Sequence, residues 1–138
     1  MTSPRSLLAL DVGEKRIGVA LADMQIKIAI AYDTLQVDGT EAEAIKEIVA
    51  REKIEAIVVG YPRNQSGAPT AQTKYVEKYI DQLAFDQVPV YFQDESLTSV
   101  RAEELLKSQK KPYSKADIDA LAASLILQDY LEGQHGRI

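Results

Sequence analysis

The feature that most constrains the fold is an apolar run, residues 7–10, that ends at an acid and leads through a glycine into a second apolar run, residues 17–20. Such a pattern predicts two strands joined as a β-hairpin. The acid, Asp11, would then lie at the C-terminal end of a buried strand, where α/β folds place groups that bind ligands. Lys15 and Arg16 in the predicted turn can pair with phosphate. The hairpin therefore indicates acid-based chemistry on a substrate that carries phosphate.

Three later segments predict further strands. Residues 26–35 keep enough alternation and β-branching for a third strand beside the second. Residues 55–60 form a continuous apolar run, typical of a strand buried on both faces, and residues 88–92 form another short apolar run. A helix between these last two strands makes them parallel. We therefore expect an α/β fold with a five-stranded mixed sheet, antiparallel in its first three strands and parallel in strands 1, 4 and 5, and with helices on both faces.

Four segments predict helices. Thr40 and Glu43 form a T-x-x-E capping box ahead of apolar residues at three- and four-residue spacing. Pro69 suits the first turn of a second helix, whose apolar residues continue to Leu83. The expected helices cover residues 40–52, 69–83, 98–107 and 114–132. The tail after them, which contains His135, is expected to be frayed.

Composition narrows the function classes. At 138 residues the chain is about one ordinary domain, and we expect residues 1–138 to form a single one. The chain has no cysteine and one histidine, which excludes disulfides and thiolate catalysis and nearly excludes Cys/His zinc sites. A bound metal would therefore be held by oxygen ligands. The net charge of −5 argues against non-specific coating of nucleic acid. With neither a signal sequence nor an apolar run of membrane-spanning length, a cytoplasmic protein without membrane contact is expected.

Acids are placed so that they meet at one edge of the predicted sheet. If strands 1, 4 and 5 run parallel, Asp11, the loop 60–64 and the pair 94–95 emerge together. Asp119 lies within a helix segment, residues 118–127, that is apolar around nearly its whole circumference. Because a buried carboxylate needs a partner, a shared divalent cation is an economical solution. Three carboxylates around one or two Mg²⁺ or Mn²⁺ ions would suit phosphodiester hydrolysis.

At these residues the sequence resembles the YqgF/RuvX family, whose members are described as pre-16S rRNA nucleases and as Holliday junction resolvases. Four motifs carry the resemblance in the family's order: Asp11, Gly13 and residues 15–20; Gly60, Pro62, Asn64 and Gly67; Asp94, Glu95 and Thr98; Asp119, Ala120, Ala122 and Ala123. The resemblance covers essentially the whole chain. It implies a ribonuclease H-like fold, a metal-dependent nuclease site of Asp11, Glu95 and Asp119, and trimming of the ends of small-subunit rRNA precursor.

The chain departs from the family pattern at two positions. Ser96 stands where an arginine usually follows the Asp-Glu pair, and Ser99 stands where a second threonine is usual. Loss of the arginine would weaken the hold on substrate without touching metal binding.

Several of these acids also have structural explanations. Asp11 before glycine is ordinary turn chemistry. Asp94 and Glu95 could serve as negative charges at the N-terminus of the next helix, and of the two we assign Glu95 to the site and Asp94 to a structural or neighbouring role. Asp117 belongs to an S-x-x-D capping arrangement with Ser114, so we assign the site to Asp119 instead. Asp23, at the end of the second strand, is interpreted as structural.

Basic residues have the same two interpretations. Arg63 is either a phosphate contact or part of a plain turn. A basic loop near residues 107–111 is either a solvated segment or a contact for a polyanion. The candidate substrate-binding residues are Lys15, Arg16, Arg63, Asn64 and Thr98.

The leading hypothesis is a Mg²⁺- or Mn²⁺-dependent nuclease that acts on structured RNA, in the setting of a pre-ribosomal particle and as a monomer or homodimer. Resolution of four-way DNA junctions is an alternative that would require a dimer. A non-catalytic nucleic-acid or ribosome-assembly module is another. Asp11, Gly13 and Gly18 also resemble the phosphate loop of actin and sugar kinases, but those proteins close two domains around ATP and this chain has length for one.

Overall fold

The computed structural model describes residues 6–62, 68, 70–85, 88–95 and 97–136. Within these ranges five strands and four helices follow one another. Their bounds are β1 Ser6–Val12, β2 Arg16–Asp23, β3 Ile28–Gln36, α1 Glu41–Arg51, β4 Ile54–Tyr61, α2 Ala71–Leu83, β5 Val90–Asp94, α3 Thr98–Ser108 and α4 Lys115–Gly136.

The five strands form one sheet in the order β3-β2-β1-β4-β5. The pairs β1/β2 and β2/β3 are antiparallel, whereas β1/β4 and β4/β5 are parallel. The predicted mixed sheet is therefore confirmed. A hydrogen bond of 3.0 Å from the backbone N of Gly13 to the carbonyl of Arg16 closes the β1–β2 hairpin. The parallel strands β1, β4 and β5 all end at the same edge of the sheet.

The two faces of the sheet carry different side chains because residues alternate along each strand. On one face, Leu8 and Leu10 of β1 pack with large aliphatic side chains of α1 and α2. On the other face, small residues such as Ala9 and Ala20 pack under α4. Small side chains let the helix backbone approach the sheet closely. Each fully buried leucine or isoleucine stabilises the fold by roughly 2 kcal/mol.

Helix α4 is the central element of the second face. It contacts all five strands and α3. Its N-terminal part is anchored by a 2.6 Å hydrogen bond from the Thr34 hydroxyl in β3 to the carbonyl of Ala116. An ion pair of 3.0 Å joins Arg101 in α3 to Asp129 in α4. The helix runs to Gly136, four residues beyond the predicted end, so the tail expected to fray is helical up to that residue.

The start of α1 differs from the prediction. Thr40 is its N-cap, but its side chain accepts no capping hydrogen bond. The hydroxyl instead donates to Asp38, at 2.6 Å. The side chain of Glu41, rather than that of Glu43, accepts from the backbone N of Asp38 and of Gly39, at 3.1 and 2.8 Å. The predicted T-x-x-E capping box is therefore wrong, because the acid at position 38 takes the hydroxyl that the box requires.

The boundaries of one helix and one strand also differ from the prediction. Helix α2 begins at Ala71 with a reciprocal capping box between Thr70 and Thr73, while Pro69 lies outside the described residues. Strand β5 covers Val90–Asp94 instead of residues 88–92. The shift makes Glu95 the first residue after the strand.

The outer edge of β3 is covered by one side chain of α4. Gln128 accepts from the backbone N of Ala29 at 2.9 Å and donates to the carbonyl of Lys27 at 3.2 Å. An amide in this position imitates a neighbouring strand. It occupies hydrogen-bonding groups through which an exposed sheet edge could pair with another chain. Ile28 and Ile30 lie beside it and are 58% and 65% exposed.

Among the described residues, no helix is both long enough and apolar enough to cross a bilayer.

Candidate active site

Asp11 and Asp119 are brought together by a glycine. Asp11, near the end of β1, lies opposite Gly18 of β2 in the antiparallel ladder, so both positions face the same side of the sheet. A Cβ atom on Gly18 would collide with the backbone carbonyl of Asp119 in α4. Only glycine leaves space for this approach. The close packing of α4 on β2 therefore places the Asp119 backbone beside Asp11.

Glu95 reaches the same place from the other side. Its backbone N donates to the carbonyl of Tyr61 at the end of β4, at 3.2 Å. A second glycine, Gly60, makes room: a Cβ there would lie 2.7 Å from Cδ1 of Ile126 and 3.7 Å from Oε2 of Glu95. The other carboxylate oxygen, Oε1, accepts a 2.7 Å hydrogen bond from the hydroxyl of Thr98. Thr98 is fully buried and therefore holds Glu95 in one orientation.

The three acids line one open cleft of about 460 Å³ at the sheet edge where β1, β4 and β5 end. The other lining residues are Val12, Gly13, Arg16, Pro62, Gln72, Leu97, Thr98, Ser99 and Val100. Cleft and acids thus lie where parallel α/β sheets bind ligands.

The acids repel one another across this cleft. Burial, together with the smaller effect of the negative charges of Glu95 and Asp119, raises the pKa of Asp11 from 3.8 to about 7. Because a bound cation would offset this repulsion, the electrostatics favour a positively charged ligand. The donors are hard carboxylate oxygens, which suit Mg²⁺ and Mn²⁺.

Arg16 supplies a positive charge at this cleft. Its Nε lies 2.5 Å from Oδ2 of Asp119, and the two side chains are 29% and 21% exposed. In this arrangement, no group of three or more His, Cys, Asp or Glu side chains in the described ranges is placed to hold a metal ion. By donor type the three acids fit a divalent cation, and one carboxylate oxygen of Asp119 is paired with Arg16.

The remaining predicted site residues are spread more widely. Lys15 is exposed in the hairpin turn and does not line the cleft. Thr98 lines the cleft, although its hydroxyl is taken up by Glu95. Asp94 ends β5 with an exposed side chain. Arg63, Asn64, Gly67 and Ser96 lie outside the described residues.

The acids assigned to structural roles have structural contacts. Asp117 accepts from the backbone N of Ser114 at 2.9 Å, while the hydroxyl of Ser114 accepts from the backbone N of Asp117 at 3.2 Å. The predicted S-x-x-D cap of α4 is thus confirmed. Asp23 accepts from the backbone N of Gln25 at 2.7 Å in the turn after β2.

Sequence reasoning missed two features of the cleft. Gln72, in the first turn of α2, donates to the carbonyl of Val12 at 3.3 Å. The T-x-x-T capping pattern of Thr70 and Thr73 could have placed it there. Leu97, with a left-handed backbone at φ 54°, is 72% exposed at the rim, and no pattern in the sequence predicts that conformation.

A family model described as "RuvX: Holliday junction resolvase" matches residues 5–133. The chain belongs to the RuvX family. Curated RuvX-family relatives carry the name "Putative pre-16S rRNA nuclease". One from Chloroflexus aggregans is 38% identical over 135 residues, covering 94% of this chain and 95% of its own. One from Caldanaerobacter subterraneus subsp. tengcongensis is 39% identical over 134 residues, covering 93% and 96%. Family and names together support a nuclease.

Solved structures show the fold of this RuvX-family chain. Thermus thermophilus RuvC in complex with a Holliday junction substrate superposes with a TM-score of 0.60 at 17% identity and covers 96% of both chains. The fowlpox virus resolvase, in a complex with Holliday junction DNA, gives a TM-score of 0.58 at 12% identity and covers 94% of this chain and 98% of its own. The ribonuclease H-like fold that the sequence resemblance implied is therefore confirmed.

Proposed function

We propose that this protein is a divalent-metal-dependent nuclease that hydrolyses phosphodiester bonds while the end of pre-16S rRNA is matured. One observation carries the proposal: three carboxylates from β1, the segment after β5, and α4 line a single open cleft, with an arginine beside them. The relatives' name supplies the substrate. We take residues 1–138 as one nuclease domain that works in the cytoplasm and meets its RNA within a pre-ribosomal particle.

In this proposal Asp11, Glu95 and Asp119 hold Mg²⁺ or Mn²⁺. When bound, such an ion supplies Lewis-acid stabilisation of the negative charge that develops on the phosphoryl oxygens. Thr98 keeps Oε1 of Glu95 fixed through its 2.7 Å hydrogen bond, so that the carboxylate loses little freedom on binding. We propose this orienting role for Thr98 in place of the substrate contact expected from the sequence.

The RNA backbone would enter the cleft from its open side. Among the described residues that line the cleft, Arg16 is the one with a guanidinium group, which matches phosphate geometry with two parallel hydrogen bonds. Lys15, exposed in the same hairpin turn, would contact a neighbouring phosphate. Contacts from Arg63 and Asn64 remain predictions. Phosphate contacts of this kind position the strand without reading its sequence.

Resolution of four-way DNA junctions is the second candidate. It is favoured by the description of the matching family model and by the fold shared with two resolvases. Such an enzyme must present two clefts to two strands and would therefore act as a homodimer. A monomer is sufficient for trimming RNA.

The test compares wild-type protein with Asp11→Asn on precursor 16S rRNA and on a four-way DNA junction, each with Mn²⁺, Mg²⁺ or EDTA. Metal-dependent cleavage of the rRNA by wild type alone supports the proposal, and preferential cleavage of the junction supports the second candidate. RNA binding without cleavage under any metal condition would instead identify a non-catalytic assembly module. Equal cleavage by wild type and Asp11→Asn, with matching melting curves, would refute the proposed site.

A further inference from the structure

One of the three acids is paired with a guanidinium group in this structure. Oδ2 of Asp119 lies 2.5 Å from Nε of Arg16, a residue 103 positions away in the chain. Arg16 begins β2, and Asp119 lies in the second turn of α4. The pair therefore spans the junction between hairpin and helix at the cleft. In the described part of the chain, no three acidic side chains, Asp119 included, are arranged around one point.

The position of this ion pair differs from that of the second Arg–Asp pair on the same helix. Arg101 and Asp129 join α3 to α4 with a distance of 3.0 Å, and neither lines the cleft. Arg16 and Asp119 both line it, and both remain partly exposed. A phosphate in the cleft can therefore reach the guanidinium, whereas the Arg101 pair is an ordinary contact between helices.

We propose that Arg16 is a positioning residue that holds Asp119 away from the metal until a phosphate of the nucleic acid takes over its guanidinium. This inference rests on the proposed function. A guanidinium and a divalent cation compete for the same carboxylate oxygen, and a phosphate competes with that carboxylate for the guanidinium. Binding of nucleic acid then completes the metal site. Metal and nucleic acid should each tighten the binding of the other by the same factor.

The experiment measures Mn²⁺ affinity by electron paramagnetic resonance of free Mn²⁺, without and with RNA. The proteins are wild type, Arg16→Gln, Asp11→Asn, Asp119→Asn and the double variant Arg16→Gln/Asp119→Asn. Arg101→Gln is the matched control because it removes the same charge from a similar pair outside the cleft. Arg16→Lys keeps the positive charge but loses the Nε contact to Asp119. It replaces Arg16→Gln in the experiment if that variant fails to fold. Fluorescence anisotropy of a fluorescein-labelled RNA hairpin then measures RNA affinity with and without Mn²⁺, which gives the coupling between metal binding and RNA binding. Gel electrophoresis checks that the RNA is intact.

We expect Arg16→Gln to bind Mn²⁺ about fivefold more tightly than wild type. This factor corresponds to the upper end of the stabilisation that exposed ion pairs usually give. Arg101→Gln should match wild type, and the Arg16 effect should vanish in the Asp119→Asn background. Mn²⁺ should tighten RNA binding by wild type about fivefold and that by Arg16→Gln hardly at all.

Two failures are distinguishable. If Asp119→Asn loses Mn²⁺ binding but Arg16→Gln and Arg16→Lys bind no more tightly than wild type, the inference is wrong and the proposed metal site stands. If Asp11→Asn and Asp119→Asn bind Mn²⁺ as wild type does, with and without RNA, the metal site itself is wrong and the inference falls with it.

Discussion

Gly18 of β2 lies directly against the backbone carbonyl of Asp119 in α4, with no space for even one methyl group between them. The same glycine is the cross-strand partner of Asp11. Two acids separated by 108 positions therefore share one location because one residue between them lacks a side chain. This packing turns a structural glycine into a determinant of the candidate site.

Gly18→Ala should destabilise the protein, because the new methyl group must displace the backbone of α4. Overpacking of this kind costs about 1–3 kcal/mol, and a backbone obstacle places the expected value at the upper end. Chemical denaturation of wild type and variant measures the difference. Gly133→Ala is the control: nothing lies within 4 Å of the position in α4, so alanine should be neutral or stabilise by up to about 1 kcal/mol. A Gly18→Ala variant as stable as wild type would contradict the close contact.

Asp11→Asn should change the pH dependence of stability. Asp11 has a pKa of about 7 in the folded protein and of 3.8 when it is exposed to water, as in the unfolded chain. Between these two pH values the unfolded chain has therefore released a proton that the folded chain keeps. The free energy of unfolding therefore falls as pH rises through this window, by up to about 4 kcal/mol at about 1.4 kcal/mol per pKa unit. In Asp11→Asn, which has no carboxyl group at this position, the free energy of unfolding should not show this fall.

Denaturation in EDTA at several pH values tests the Asp11 prediction. The stability advantage of Asp11→Asn over wild type should be larger at pH 8 than at pH 5, because the wild-type carboxylate is ionised and repelled only at the higher pH. A difference that is the same at both pH values would contradict a raised pKa for Asp11.

Thr98→Val should lower the turnover of RNA cleavage while the fold is retained. The change removes the 2.7 Å hydrogen bond to Oε1 of Glu95 and keeps a similar shape. Hydrogen bonds to charged groups contribute about 1.5–3 kcal/mol, so a rate loss of about tenfold or more is expected. Ser108→Ala, which removes an exposed hydroxyl at the end of the same helix, should have no effect. Unchanged kcat in Thr98→Val would show that Glu95 needs no such support.

Gln128→Ala should promote self-association by uncovering the edge of β3. The wild-type amide occupies the backbone N of Ala29 and the carbonyl of Lys27, beside the exposed Ile28 and Ile30. An open, apolar edge strand pairs readily with another chain. Sedimentation velocity across a concentration series should show larger species for Gln128→Ala than for wild type and for the exposed-surface control Gln109→Ala. Identical sedimentation of all three proteins would contradict a protective role for Gln128.

Much of the architecture could be predicted because the physical signals are local. The two apolar runs of the hairpin and the continuous apolar run of β4 predicted strands, and the helix between β4 and β5 predicted that these two are parallel. The common direction of β1, β4 and β5 then placed Asp11 and Glu95 at one edge. The cap of Asp117 and Ser114 also depends on two residues only three positions apart. Patterns over such short sequence separations can be recognised in a single sequence.

What escaped prediction depends on contacts between distant segments. The Arg16–Asp119 ion pair and the close approach at Gly18 join the hairpin to the last helix, and no sequence spacing shows that two such segments touch. The failed capping box at Thr40 has a different cause, because two other acids take the local donors. Asp38 accepts from the Thr40 hydroxyl, and Glu41 accepts from the backbone N of Gly39. Helix-capping propensity alone does not show which of several adjacent acids accepts the hydrogen bonds at the start of the helix.

The measurement that tests the central claim most directly is Mn²⁺-dependent cleavage of precursor 16S rRNA by Asp119→Asn beside Asp117→Asn. Both substitutions neutralise an acid in the first turns of α4, but only Asp119 lines the cleft, whereas Asp117 caps the helix. We predict that Asp119→Asn loses at least about a hundredfold in rate, on the scale of removing one electrostatic catalytic group, while Asp117→Asn stays near wild type. Equal activity of the two variants would contradict a nuclease site built on Asp119.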